Sequence, residues 1–203
     1  MTGEADRRPI HRLDPTTVAR IAAGEVVESP ASVVKELVEN AYDAGASEVQ
    51  VAVRGGGTER IQVSDDGVGI LPAELPLAVE RHATSKLSDS EDLESVRTLG
   101  FRGEALASIG AVSRLSILSR TRGSDVAHGV RVDGGEAAGE FVEGAPPGTT
   151  VEVTDLFYNT PARRKFLRSP AAEQVEVARV VGALYLARPD VAISLSAEGE
   201  EIA

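Results

Sequence analysis

Residues 35–46 read KELVENAYDAGA, two Glu, one Asn and one Asp set among small and aliphatic side chains. Wound at 100° per residue with the positions just before them, Val33, Val34, Leu37, Val38 and Ala41 fall on one arc. Glu36, Glu39, Asn40 and Asp43 fall on the opposite arc, with Glu36 and Asn40 one turn apart. Ser29 followed by Pro30 is a helix start, a hydroxyl N-cap and then proline at the first helical position, and Gly45 is a stop. The spacing predicts a helix from Pro30 to about Asp43. A polar face opposite an apolar one is what any surface helix shows, so this stretch by itself does not say whether its carboxylates are solvated or do chemistry.

The rest of the chain narrows the choice. Its 203 residues suffice for one domain with a real core. Hydrophobic content of 42% and charged content of 26% are those of a soluble globular protein. No apolar run approaches the roughly 18 residues of a membrane span, and the N-terminus has no apolar signal segment, so no membrane partner is expected. With no cysteine, disulfides and thiolate metal sites are excluded, which fits a cytoplasmic protein. His11, His82 and His128 have no ligand spacing. A net charge of −11 argues against a surface that grips phosphate backbone throughout. The exception is PARRKFLR, where Arg163, Arg164, Lys165 and Arg168 cluster.

Residues 1 to about 15 lack periodicity and form a tail; 16–203 form the folded unit. SEVQVAV and RIQVSD alternate as strands around the turn Gly55 to Gly57. A helix is expected over Pro72 to Arg81, a Ser-rich acidic excursion over 84–100, and a helix over Glu104 to Ile109. VSRLSILS, HGVRVDG and TTVEVTDL are strand-like. Ser169 and Pro170 start a last long helix with Val175, Ala178, Val181, Leu184 and Tyr185 near helical spacing, and VAISLSAEGEEIA is a strand entering a turn. Hairpins mixed with helices predict an α+β fold: a mixed, mostly antiparallel sheet with helices on one face.

Further constellations bear on chemistry. SDDGVGI places Asp65-x-Gly67-x-Gly69 just beyond a strand, an acid able to accept from a base amine beside backbone with little side chain. In TLGFRGEALASIGAV, Gly100 and Gly103 bracket a loop that enters a helix, where backbone N–H groups and the helix dipole suit an anion. It is neither a G-x-x-x-x-G-K-S/T phosphate loop nor a G-x-G-x-x-G dinucleotide turn. Thr84, Ser85 and Lys86 offer donors to phosphate oxygens, and Thr149 opens a strand with a hydroxyl.

In this order the segments resemble the nucleotide site of the GHKL (Bergerat-fold) ATPases, the superfamily of gyrase, heat-shock chaperones, histidine kinases and MutL. IAAGEVVESPASVVKELVENAYDAGA, ARHATSK, GFRGEALASI and DLFYNTPARRKFL are similar to the MutL DNA mismatch repair family, from about Leu13 to the last residue. The resemblance implies a two-layer sandwich that binds ATP and Mg²⁺. It implies that Glu36 is the general base, that Asn40 is the metal ligand, and that Asp43 and Ala44 support the pocket edge, leaving Glu39 to solvent and a surface pair with Lys35. Asp65 would read the adenine amine with Gly67, Gly69 and Thr149. Thr84, Ser85 and Lys86, then Gly100, Phe101, Arg102, Gly103 and Glu104, would line the phosphates under a lid that orders on ATP binding.

The implied partners are ATP or ADP, a second subunit on ATP binding, and, through a full-length protein, MutS-like repair proteins and DNA at the bacterial nucleoid. A second subdomain that delivers a lysine to the γ-phosphate, and a C-terminal dimerisation region, are expected beyond this chain. The rival expectation is a nucleotide-switched interaction module with little turnover, and a third is a DNA-binding domain that uses PARRKFLR.

Overall fold

The computed structural model describes residues 10–84 and 103–202. An eight-stranded sheet organises the chain, in the order β5-β4-β3-β6-β2-β1-β7-β8. Its strands are β1 Glu48–Arg54, β2 Arg60–Asp65, β3 Arg114–Arg120, β4 Ala127–Asp133, β5 Glu136–Glu143, β6 Gly148–Thr154, β7 Ala192–Ala197 and β8 Glu200–Glu201. All neighbours are antiparallel except β1 and β7, which run parallel, the chain reaching β7 from β6 through α5 and α6. The mixed, mostly antiparallel sheet is as expected.

Period-two alternation gives the sheet one buried face. Val51, Val63, Val151 and Ile117 are successive cross-strand neighbours, and so are Val53, Ile61, Val153 and Leu115. All eight are buried, while the alternate positions Gln50, Gln62, Glu152 and Ser116 are polar and more exposed. The helices cover the apolar face: α1 Pro15–Val26, α2 Pro30–Asp43, α3 Leu75–Ala78, α4 Ala105–Ala111, α5 Pro161–Arg164 and α6 Pro170–Ala187.

The predicted limits of α2 agree with the structure, and its ends explain why. Ser29 Oγ accepts from the Ser32 N–H at 3.3 Å, Ser32 Oγ accepts from the Ser29 N–H at 3.0 Å, and Pro30 fills the first turn. Gly45, with φ of 69°, turns the chain out of the helix. Val33, Val34, Leu37, Val38 and Ala41 are all buried.

Elsewhere the structure departs from the expectation. The helix expected over Pro72 to Arg81 is a 3-10 turn at Pro72–Glu74 and the single turn α3, because Pro76 has no N–H to continue a ladder. In α6 the core side is Val177, Val181 and Leu184, while Val175 and Tyr185 face outward, 70% and 47% exposed. Helix α1, capped by Asp14, carries no strong stripe and was absent from the expectation; so was β5, an edge strand almost wholly exposed.

Two glycines mark opposite constraints. Gly148 opens β6 with φ of 123°, and a Cβ there would lie 1.9 Å from the Asp65 carbonyl oxygen. Gly182 lies inside α6 with open space around its Cβ position. Gly148→Ala is therefore expected to lose ~2 kcal/mol or more by denaturant unfolding, and Gly182→Ala to gain about 0.5–1 kcal/mol. Equal effects of the two changes would contradict the packing described.

Candidate active site

A cleft of about 1050 Å³ opens between the polar side of α2 and one end of the sheet. Glu36, Glu39, Asn40, Asp43 and Ala44 line it from α2, Asp65 and Gly69 from the end of β2, and Thr149 from β6. Val63, Val151 and Ile117, the inward side chains of three adjacent strands, give it an apolar wall. Such a cleft suits a ligand with a flat apolar part and a charged part.

The polar end is set by register. Asp65 pairs across the sheet with Thr149, and Thr149 with Ser119, so the row that continues the apolar face ends in three polar residues. Asp65 Oδ1 accepts the Gly67 N–H at 2.9 Å, and the Thr149 N–H also donates to the carboxylate. Burial pushes the Asp65 carboxyl above the ordinary carboxylate range, these two hydrogen bonds oppose the rise, and the Asp66 charge adds to it. The neighbouring Asp66 does different work. It accepts the Ser47 and Glu48 N–H groups at 2.7 and 2.8 Å and the Ser47 hydroxyl, bonds that hold its carboxyl below the usual range.

The D-x-G-x-G glycines answer to the protein before any ligand. Gly69 has φ of 75°, and a Cβ on it would meet the Arg120 carbonyl oxygen at 2.5 Å. A Cβ on Gly67 would meet Ala44 and the Asp65 carboxylate, and the Val68 N–H bonds the Ala44 carbonyl at 3.1 Å, tying the loop to the end of α2. Gly67 itself is not on the cleft wall.

At the mouth, the His82 N–H donates to the Gly103 carbonyl at 3.1 Å, and His82 Nδ1 lies 3.0 Å from a Glu104 carboxylate oxygen. Thr84, Gly103 and Glu104 share the cleft wall. Ser85, Lys86, Gly100, Phe101 and Arg102, together with most of the acidic excursion, lie outside the described residues. Glu39 departs from its expected place. It does pair with Lys35 at 2.9 Å, but it is only 9% exposed, part of the cleft wall rather than left to solvent.

Two contributions were not foreseen. Ser119 ends the polar row; its signal was a serine in the inward phase of VSRLSILS, two residues after Ile117. Helix α1 brings Glu25 and Val26 to the cleft and is held by arginines: Arg81 donates to the Ala19 carbonyl at 2.8 Å, and Arg163 to the Ile21 carbonyl at 3.2 Å. Of the basic cluster, Arg163 is thus spent on α1 and Arg168 pairs with Glu173 at 3.3 Å, while Arg164, Lys165 and Arg168 are all exposed. Among the described residues no helix is long and apolar enough to cross a membrane.

Comparison with known proteins bears directly on this cleft. Residues 27–155, which span α2, the Asp65 loop and Thr149, match the family described as Histidine kinase-, DNA gyrase B-, and HSP90-like ATPase. The chain belongs to that family. Within it, the chain is 55% identical over 193 residues to a DNA mismatch repair protein MutL of Desulforudis audaxviator, covering 95% of this chain and 34% of the relative. It is 59% identical over 191 residues to the MutL of Acidiphilium cryptum, covering 94% and 33%. The chain thus spans about one third of the length of the MutL relatives it matches. Among solved structures, the Aquifex aeolicus MutL ATPase domain complexed with ADP superposes with a TM-score of 0.70 at 37% identity, covering 88% of this chain and 63% of that one. The N-terminal domain of a DNA repair protein superposes with a TM-score of 0.75 at 29% identity, covering 91% and 54%. This is a MutL-type ATPase fold.

The two adjacent acids give opposite pH signatures. A carboxyl whose folded pKa is raised contributes most to stability below its unfolded pKa and loses that contribution as pH rises through the folded value; a lowered one behaves in reverse. Relative to the parent, Asp65→Asn should gain stability between about pH 4 and pH 7, and Asp66→Asn should lose it. Denaturant unfolding across that range checks this, and slopes of the same sign would contradict the assigned environments.

Proposed function

We propose that the chain is the ATP-binding and hydrolysing module of a MutL-type mismatch repair protein. One observation carries the reading: the acid and amide of α2, Glu36 and Asn40, share a single cleft with Asp65 and Thr149. The ADP held by the related Aquifex aeolicus domain supports it.

In this reading the adenine lies against Val63, Val151 and Ile117 with its amine toward Asp65, and the phosphates run along α2 toward Thr84 and Gly103. Phosphoryl transfer asks a protein for positioning, charge neutralisation and an oriented water more than for covalent chemistry. Glu36 is the base that orients and deprotonates that water. Lys35 Nζ lies 3.9 Å from Glu36 and 2.9 Å from Glu39, so its stronger ion pair is with Glu39. Among the described residues no three His, Cys, Asp or Glu gather to hold a metal ion. Mg²⁺ takes one or two protein oxygens and completes its shell with phosphates and water. The Asn40 side-chain oxygen would hold it, and it would neutralise developing phosphate charge. ATP-dependent self-association, and contacts with MutS-like proteins and DNA, belong in this proposal to the longer protein of which MutL relatives are examples.

Glu36→Ala should lower hydrolysis by roughly 10²- to 10⁴-fold and leave ATP affinity nearly unchanged, because the loss falls on the transition state. Asp65→Asn should instead weaken ATP binding by about tenfold or more, because the loss falls on ground-state recognition. Both are measured by calorimetric binding and phosphate release, in this chain and in a form extended toward its relatives' length. Unchanged turnover in Glu36→Ala removes the base assignment, and unchanged affinity in Asp65→Asn removes adenine reading. Binding without turnover by the chain alone would favour a nucleotide-switched interaction module.

A further inference from the structure

Ser119 is 2% exposed, and its single hydroxyl meets three polar neighbours. The Ile70 N–H donates to Ser119 Oγ at 2.8 Å, the Gly148 carbonyl oxygen lies at 3.0 Å, and Thr149 Oγ1 lies at 2.9 Å. A serine has one proton and two lone pairs. The Gly148 carbonyl can only accept, so it takes that proton. Ile70 fills one lone pair, and the other is left for the Thr149 hydroxyl, which must therefore donate. The reverse orientation would set two oxygens 3.0 Å apart with no proton between them, in a site closed to water. Burial makes that costly.

The consequence reaches the cleft. The Thr149 hydroxyl proton goes to Ser119, so toward the ligand that hydroxyl offers only lone pairs. Asp65 offers lone pairs too, and the Gly67 N–H holds its carboxylate in place. The same serine ties the loop after Gly69 to β3 through Ile70.

We propose that Ser119 is a positioning residue for base selection: it fixes the Thr149 hydroxyl as an acceptor, so the ring end of the cleft takes an amino-bearing purine and rejects a 6-oxo purine. This rests on the nucleotide reading above. Both acceptors face the exocyclic position, where the two N–H groups of an amine satisfy them and a carbonyl oxygen opposes them. Replacing Ser119 by alanine frees the Thr149 proton to rotate toward the ligand, where it can serve a carbonyl.

The experiment compares ATP, inosine triphosphate and inorganic tripolyphosphate by calorimetric or chemical-shift titration of the parent chain, Ser119→Ala, Thr149→Val and the double variant. The parent should prefer ATP over inosine triphosphate. Ser119→Ala should lose about tenfold in ATP affinity, the scale of one hydrogen bond, and narrow the ATP to inosine triphosphate ratio by a similar factor. Tripolyphosphate affinity should hold. In the Thr149→Val background, Ser119→Ala should leave the ratio unmoved. Should the alanine variant fail to fold, Ser119→Cys, nearly isosteric and a poor hydrogen-bond partner, should show the same narrowing. Parent binding of ATP with a ratio unchanged in these variants overturns the role of Ser119 alone. Equal loss for all three ligands also overturns it, because it marks a merely structural serine. A parent that binds no ATP overturns the nucleotide reading itself.

Discussion

The pairing of Asp65 with Thr149, and of Thr149 with Ser119, is the constraint on which the cleft depends. Antiparallel register makes these three residues neighbours, and the pleat turns them to the same face as the core valines. A slip of one residue in β2 would send Asp65 to the outer face and bring Ser64 inward. The register that buries Val51, Val63, Val151 and Ile117 in one row therefore also delivers the polar row at its end. Core and site are set by one alignment, so the hydrophobic effect that selects the fold also positions the recognising groups. Site residues mounted on such strands are held more tightly than loop residues would be.

Helix α2 repeats that economy on the facing layer. Its Val34, Leu37, Val38 and Ala41 side closes the core, which directs Glu36 and Asn40 at the cleft. Around this rigid pair sit elements held by fewer and more polar ties. Arg81 and Arg163 hold α1 by its backbone carbonyls, and the His82 to Gly103 bond closes the mouth. The half-buried Asp65 carboxylate is a liability for stability at neutral pH, kept where its accepting lone pairs are wanted.

Much of this was legible in the chain because it was written in periodicity and capping. Ser29, Pro30 and Gly45 bounded α2, and the alternation in SEVQVAV and RIQVSD marked two central strands. Resemblance to the MutL family then separated Glu36 and Asn40 from the other polar residues of α2, a choice periodicity cannot make. Elements that bury little were the ones missed: β5 has no buried phase to read, and α1 buries only Ala23 fully, with arginines from distant segments bonding its carbonyls. Glu39 was misplaced because helical phase records direction and not depth. Ser119 was passed over because its importance lies in what Thr149 and Ile70 give it, and those partners are brought together only by the fold.

The central claim is that this cleft binds ATP, and a thermal melt with and without ATP and Mg²⁺ tests it most directly. A ligand at one hundred times its Kd stabilises the folded state by about 2.7 kcal/mol. For a domain of this size that is a rise in Tm of roughly 5–10 °C. The account predicts such a rise with ATP and a much smaller one with inosine triphosphate at equal concentration. No rise at millimolar ATP would contradict it.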